Sequence, residues 1–285
     1  MDRMKIKANA KINLALAVKY KREDNYHEIE SIFQEIDFSD EIRLTKSEDV
    51  VFATNASNLG NDEDNLCVRA ARLLQKEYEI PGLDIFLQKE IPAGSGLGGG
   101  SSDAAAVIKA GLALYKVNIP LPELIRSAAR LGADIPFFLA GGTSYVSGIG
   151  EVLAPVCMNI PYNILLILPE LHISTVWAYK NLNLTLTKKK GDYKFRGFRC
   201  QDLKLDDFAS EFHNDFEPAV FRHHPELEQI KSDLYDQGAQ YAALSGSGSG
   251  IFGLFASELE AKRAKDFFCS TRRCLLTKPV YRESI

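Results

Sequence analysis

Pro92-Ala-Gly-Ser-Gly-Leu-Gly-Gly-Gly-Ser-Ser-Asp103 is the stretch from which the rest of this chain is read. Five of the seven positions from 94 to 100 are glycine, and the segment runs directly into Ala104-Ala-Ala-Val-Ile-Lys-Ala-Gly-Leu-Ala-Leu-Tyr115, a helical pattern. Glycines let the backbone approach a ligand closely and take up positive φ without a Cβ clash. The free N–H groups of the following helix start, with the positive end of its dipole, then make a site for phosphate. Ser101, Ser102 and Asp103 are all good N-cap residues, so the spacing predicts a helix that starts where they stand. Pro92, Ala93, Gly94, Ser95, Gly96, Leu97, Gly98, Gly99, Gly100, Ser101 and Ser102 therefore form a candidate phosphate cradle.

Several glycine-rich cradles exist, and most can be set aside. Gly94, Gly96 and Gly99 satisfy G-x-G-x-x-G, but that expression alone is weak. The dinucleotide fingerprint wants a buried parallel strand before it and an acidic residue about 20 positions after, ending a second strand. Here two helical segments follow, and Glu123 stands beside Pro122 with no strand ending at it. A P-loop needs Lys after its last Gly, and none is present. The protein-kinase loop should lead to H-R-D and D-F-G, and the chain has neither. A flexible linker is disfavoured because the segment is wedged between the strand-like Leu83–Ile91 and an alanine-rich helix.

The 285 residues are enough for one large or two ordinary domains. A hydrophobic content of 46% and a charged content of 25% suit a soluble globular protein. The net charge of −4 leaves no basic footprint for nucleic acid or a membrane surface, so an anionic substrate has to be met by local groups. No run of ~18 apolar residues and no signal-peptide core follow the start, and the expected location is the cytoplasm. Five cysteines, widely spread and without C-x-x-C, are read as free thiols in a reducing compartment. His27-Glu28 opens like the zinc motif H-E-x-x-H, but position 31 is Ser. His223-His224, before Pro225, reads as a solvated turn.

Along the chain, Ile6, Ala8, Ala10, Ile12, Leu14, Leu16 and Val18 alternate with Lys5, Lys7, Asn9, Lys11 and Asn13, predicting a strand over 5–18. Helical spacing follows over 64–78, 122–131 and 135–140, with Gly132 as a stop and Asp134 as an N-cap two residues before Pro136. Strands are expected at 143–146 and 162–168. The polar stretch 183–199 reads as a loop. Helices over 206–213, 225–236 and 258–268 and strands over 240–244, 251–255 and 275–278 complete an α+β C-terminal part. Pro155 and Pro161 bracket the expected boundary, giving domains 1–155 and 156–285.

Three motifs in this order are more specific than any one: Ala10-Lys11-Ile12-Asn13-Leu14, then Pro92–Ser102 with Gly132-Ala-Asp134-Ile-Pro136, and last Ser245-Gly-Ser-Gly248. Together they resemble the GHMP kinase superfamily, small-molecule kinases with a glycine-serine loop in place of a P-loop. Arg22-Glu-Asp-Asn-Tyr26-His27-Glu-Ile29 looks like the D-G-Y-H-x-I segment of its 4-diphosphocytidyl-2-C-methyl-D-erythritol kinase branch, and Asn214-Asp-Phe-Glu217 fits the same branch. The resemblance covers nearly the whole chain and implies an α+β, two-lobed fold, mixed sheets with helices packed on them, and an active site in the cleft between lobes. It implies phosphorylation of the substrate's 2-hydroxyl by ATP, with Mg2+ bridging the ATP phosphates, in the non-mevalonate route to isoprenoids. Asn25 stands where the branch has Gly, and Asn tolerates the left-handed region better than other non-Gly residues. Asp103 stands where some members have Asn.

Phosphoryl transfer needs an aligned nucleophile, stabilised charge and an acceptor for the hydroxyl proton. Asp134 is the candidate base, since a helix N-terminus keeps a carboxylate ionised; a plain helix cap is the competing reading. The resemblance makes Asp134 the catalytic aspartate, Lys11 its partner and Asn13 a ligand of the polyol end. Tyr26 offers a π-face and His27 donor and acceptor capacity for cytosine. The branch places an aromatic on the base's other side, at Tyr179, with Trp177 the nearby rival. The expected partner is a small-molecule cytidine diphosphate-linked polyol, with no nucleic acid and no membrane, bound by a monomer or weak homodimer. Three alternatives stay open: another GHMP kinase of mevalonate or homoserine type, which Tyr26-His27 argues against; a dinucleotide-dependent oxidoreductase built on Gly94–Gly99; and an RNA-binding module, which the net charge disfavours.

Overall fold

The alternation near the N-terminus becomes a longer strand, β1 (Arg3–Lys21), and its burial is one-sided only at the start. From Ala10 to Val18 every side chain is buried, Lys11 and Asn13 among them. The face read as polar is therefore covered, with Ala15 and Ala17 small enough to pack close beside the polar pair. The computed structural model describes residues 2–56, 59, 63–156, 162–182 and 212–281. The stretch 183–199 read as a loop, and most of the helix expected over 206–213, lie outside the described residues.

Backbone contacts group the chain into two units, and neither is one continuous segment. One unit holds Met1–Ala10, Phe38–Pro92 and Gly98–Gly141; the other holds Lys11–Asp37, Ala93–Leu97 and Gly142–Ile285. Both β1 and β2 (His27–Ser47) are long enough to contribute to each unit, so the grouping differs from a single cut near residue 155.

In the first unit the C-terminal half of β2 pairs antiparallel with β4 (Gly82–Gln88), and β3 (Val51–Thr54) lies parallel to β4. Ile42, Leu44, Leu83, Ile85 and Leu87 bury one face of these strands. Four helices belong here: α1 (Leu66–Tyr78), α2 (Gly99–Tyr115), α3 (Leu121–Ala129) and α4 (Ile135–Ala140). The Asn65 side chain accepts the Cys67 N–H to open α1, and Glu79 in the left-handed region closes it. α1 and α4 both pack on α2. Alanine at 104, 105, 106 and 110 lets those helices approach, and each is buried.

In the second unit the N-terminal half of β2 pairs antiparallel with β5 (Thr143–Gly148), and β5 with β6 (Val152–Pro155). A second, wholly antiparallel sheet has the order β10-β7-β9-β8, from β7 (Asn163–Leu168), β8 (Tyr241–Leu244), β9 (Ile251–Phe255) and β10 (Arg273–Thr277). α7 (Pro225–Asp236) and α8 (Glu258–Cys269) pack on it, α8 opened by a capping box between Ser257 and Glu260. Two short helices went unread in the sequence: α5 (Thr175–Asn181) and α6 (Glu217–His223). Leu165, Ile167, Leu227, Ile230, Phe255 and Phe268 belong to one buried cluster.

β3 and β4 run parallel, whereas β2–β4, β2–β5, β5–β6 and every pair of the second sheet run antiparallel, so the doubly wound parallel sheet of a dinucleotide enzyme is not what forms. The cysteines depart from the expectation of free thiols. Cys269 and Cys274 form a disulfide, because α8 turns straight into β10 and brings their Cα atoms to 5.5 Å; Cys67 is free and buried. Among the described residues no helix is long and apolar enough to cross a membrane. Phe268 is fully buried. Phe268→Ala is expected to cost about 3–5 kcal/mol, read as a lowered urea midpoint with the far-UV spectrum of the folded protein retained.

Candidate active site

The glycine loop is held at each end by the unit it enters. Within the second unit, the Lys11 N–H donates to the Leu97 carbonyl at 3.0 Å and the Gly250 N–H to the Ser95 carbonyl at 3.0 Å. The Ser245 hydroxyl donates to the Gly96 carbonyl at 3.0 Å, and the Asn13 N–H reaches the same hydroxyl at 3.4 Å. Gly96 has φ +74°, and a Cβ there would stand 1.9 Å from the Ser245 carbonyl oxygen. The turn Ser245–Gly250, read from the sequence as a second glycine turn, thus grips residues 95 and 96. Leu97 is fully buried and anchors the loop.

Within the first unit, α2 starts at Gly99, earlier than the serines predicted. Its N-cap is Gly98 in the left-handed region, φ 70° and ψ 17°, with no side-chain cap. Ser102 sits inside the first turn, its hydroxyl donating to the Asn9 carbonyl at 2.6 Å. Helix propensity favours a later start, but the glycines leave the first-turn N–H groups uncovered by any capping side chain, which is what an anion needs.

Lys11 and Asn13 meet on β1, Nζ donating to Oδ1 at 2.5 Å, with the ammonium 4.6 Å from the Phe33 ring centroid. The Asn13 amide donates onward to Ser31 Oγ at 3.0 Å, and Ser31 to the Ala15 carbonyl. The Asn214-Asp-Phe-Glu217 motif is spent on holding the same unit together. Asn214 Nδ2 donates to the Leu244 and Gly246 carbonyls at 2.7 and 2.8 Å, and Asp215 Oδ2 accepts the Val18 N–H at 2.7 Å. Glu217 accepts the Leu244 N–H and the Lys231 ammonium.

Tyr26 follows a tight turn in which Asn25 takes φ 68°, as its place in a Gly position requires, and its ring is 60% exposed. His27 stacks on Tyr179, centroids 4.6 Å apart and planes 12° from parallel. Burial, then the charge of Lys21, holds the His27 pKa below its usual value, so a neutral ring with one donor and one acceptor prevails at pH 7. Trp177 is turned edge-on to His223 and His224, at 5.1 and 5.9 Å, so those histidines pack on it rather than forming a bare turn. Of the two aromatic candidates on α5, Tyr179 is the one beside His27.

Asp134 occupies the N-cap position of α4 in the first unit, as the spacing predicted, with αR backbone and no side-chain hydrogen bond to the helix start. Its turn runs beside the start of α2: a Cβ on Gly132 would lie 3.8 Å from Ser101 Oγ. Beneath the same helix start lies a group the sequence did not single out. Lys89 Nζ donates to Asp40 Oδ2 at 2.5 Å and to Asp103 Oδ2 at 2.6 Å, all three side chains being buried. Asp40 Oδ1 also accepts the N–H groups of Glu90 and Ile91, whereas Asp103 Oδ1 is buried with no partner. Burial is the largest influence on Asp103; Lys89 opposes it, the charge of Asp40 adds to it, and the pKa is pushed up to about 8. For Lys89, burial works against the charge, but Asp103 and Asp40 outweigh it and its pKa is raised. Asp103 therefore holds its proton at pH 7.

An acid whose pKa rises on folding from 3.8 to about 8 binds its proton more tightly in the native state. Its contribution to stability is full below pH ~4 and is lost as pH rises through about 8. Asp103→Asn is expected to remove that slope, making the variant's melting temperature less pH-dependent than wild type between pH 5 and 8.5 in parallel thermal melts. A Gly96→Ala variant meets both a left-handed φ and a carbonyl oxygen. It should lose at least about 1–3 kcal/mol of stability, measured by chemical denaturation.

Residues 65–142 match the GHMP kinases N terminal domain, and residues 203–273 the GHMP kinases C terminal domain. A 4-diphosphocytidyl-2-C-methyl-D-erythritol kinase of Pelodictyon phaeoclathratiforme is 42% identical over 282 residues, covering 98% of this chain and 98% of that one. A crystal structure of 4-(cytidine 5'-diphospho)-2C-methyl-D-erythritol kinase superposes with TM-score 0.78 at 32% identity, covering 97% of this chain and 99% of that chain. Homoserine kinase from Cytophaga hutchinsonii shares the fold, with TM-score 0.75 over 98% of both chains at 20% identity. By its identity to full-length relatives and by both matched domains, this chain belongs to the 4-diphosphocytidyl-2-C-methyl-D-erythritol kinase family of GHMP kinases.

Proposed function

We propose that the protein transfers the γ-phosphoryl group of ATP to the 2-hydroxyl of 4-diphosphocytidyl-2-C-methyl-D-erythritol, giving the 2-phosphate and ADP. The observation that carries this reading is the start of α2, where glycines replace every capping side chain and leave the first-turn N–H groups for a polyphosphate. The loop residues 92–102 are the ATP site of the proposal. Magnesium arrives with the nucleotide as Mg·ATP, where it neutralises phosphate charge; among the described residues no group of three or more His, Cys, Asp or Glu is gathered to hold a metal.

In the reaction the 2-hydroxyl oxygen forms a bond to the γ-phosphorus, the bond from phosphorus to the β,γ-bridging oxygen breaks, and ADP leaves with that electron pair. Asp134 accepts the hydroxyl proton and passes it to solvent. Lys11 offsets the charge that develops on the attacking oxygen, its ammonium oriented by Asn13 Oδ1. Asn13 also has the polyol as its ligand. At 4.6 Å the rings of His27 and Tyr179 touch, which excludes a base from between them. Cytosine therefore takes the place of His27 against Tyr179, the displaced imidazole hydrogen-bonds the edge of the base, and Tyr26 closes over the other face. The division of the chain into 1–155 and 156–285 is likewise part of the proposal. A cytoplasmic monomer or weak homodimer is the form we propose.

ADP release with the cytidyl-diphospho-methylerythritol substrate, run beside mevalonate and homoserine, tests the assignment. Only the first should support turnover, and comparable rates with either control overturn it. Asp134→Asn and Lys11→Ala are expected to lower kcat by about 100-fold or more while ATP still binds by calorimetry. Tyr179→Ala should raise the KM for the cytidyl substrate by about tenfold, the loss of one stacked ring, and leave the KM for ATP unchanged.

A further inference from the structure

Loops that bind polyphosphate work through the aim of their N–H groups, so whatever fixes the first turn of α2 bears on ATP. Capping cannot fix it here, since Gly98 has no side chain. Nor does the sheet, because β4 ends at Gln88 and the chain from 89 to 91 runs on outside the ladder. Side chains take over that stretch. Asn55 Oδ1 accepts the Lys89 N–H at 2.7 Å, and Asp40 accepts the next two N–H groups. The Lys89 side chain then turns under the helix: a Cβ on Gly99, the first residue of α2, would lie 2.9 Å from its Nζ. From there the ammonium reaches Asp103, one turn further into α2.

We propose that Lys89 is a positioning residue for ATP: clamped between Asp40 and Asp103, its ammonium joins the strand end that delivers the glycine loop to the helix turn that receives the phosphates. The inference rests on the proposed ATP-dependent reaction and deepens it. One ammonium ties residues 89–91, before the loop, to residues 99–103, after it. With both flanks fixed, the glycines between them keep their N–H directions without a ligand, and less ordering remains to be done when ATP binds. The proton on Asp103 adds to the effect, because it leaves the triad without excess negative charge beside the polyphosphate.

The test separates aim from mere stability. Lys89→Met with Asp40→Asn removes the ammonium together with the carboxylate that faces it while Asp103 holds its proton, and the Asn oxygen can still accept the Glu90 and Ile91 N–H groups. Lys89→Arg keeps the charge but cannot seat a planar fork in a space cut for one nitrogen under Gly99. Both proteins are compared with wild type by thermal melting, by calorimetric Kd for Mg·ATP, and by steady-state KM for each substrate. Folded variants are expected to bind Mg·ATP about tenfold more weakly, the loss of one well-aimed charge-assisted hydrogen bond, with the KM for the cytidyl substrate within twofold of wild type. An unchanged Kd in either folded variant overturns the proposal, as does an equal rise in the KM for both substrates. If the double variant does not fold, Lys89→Arg decides. Calorimetry needs no turnover, so a wild type that binds ATP yet phosphorylates nothing overturns the functional reading alone.

Discussion

A phosphate cradle has to leave its N–H donors unspent, and most of what is unusual in this chain follows from that constraint. A helix normally gains about 0.5–2 kcal/mol from a capping side chain, and α2 forgoes it at Gly98. The glycine loop before it has little intrinsic order, because glycine loses more conformational freedom on folding than any other residue. Both losses have to be offset nearby without covering the donors. In the second unit the offset comes from the Ser245–Gly250 turn and the backbone of β1, which take the carbonyl groups of residues 95–97. In the first unit it comes from buried charge, through Lys89 and its two carboxylates.

Buried charge is a costly way to hold a loop, since each ion must be stripped of water. The triad limits that cost by asymmetry. Asp40 receives two backbone N–H groups and the ammonium. Asp103 receives the ammonium on one oxygen, and its other oxygen, Oδ1, is buried without a hydrogen-bond partner among the described residues. A third charge there would have no compensation, so a proton occupies it. The same asymmetry explains how an aspartate is accommodated one turn into α2, beneath the glycine loop. Neutral, it serves as an acceptor for Lys89 without repelling the ligand.

How much of this was legible in the sequence varied with the range of the interaction. The glycine loop, the alternation of β1, the left-handed Asn25 and the order of most elements are local patterns, and they carried over. The start of α2 was misplaced because Gly98 in the left-handed region opens the helix without any capping side chain. Asp134 does stand at the N-cap position of α4, but its side chain makes no capping bond there. Short helices such as α5 and α6 have too few turns to show a period. The Lys89 group was invisible because its members are 49 and 14 residues apart and come from three different elements. The disulfide was discounted on cysteine number and spread, whereas its occurrence depends on one sharp turn between α8 and β10.

A fold of this kind does not name its own substrate, since the same architecture serves several acceptor alcohols. What can discriminate is a surface that other acceptors have no use for. Mevalonate and homoserine carry no ring, so a histidine laid flat on a tyrosine would offer them nothing beyond a hydrophobic contact. A nucleobase gains from both halves of that pair, one as a stacking plane and the other as a neutral donor and acceptor. Neutrality matters here: a protonated imidazole has two donors and no acceptor, and would oppose the amino edge of cytosine. Under the proposed reading, the lowered His27 pKa keeps that ring a neutral donor and acceptor before the base arrives. Trp177, two residues earlier on α5, is turned toward His223 and His224, whereas Tyr179 lies against His27 and edge-on to Phe216.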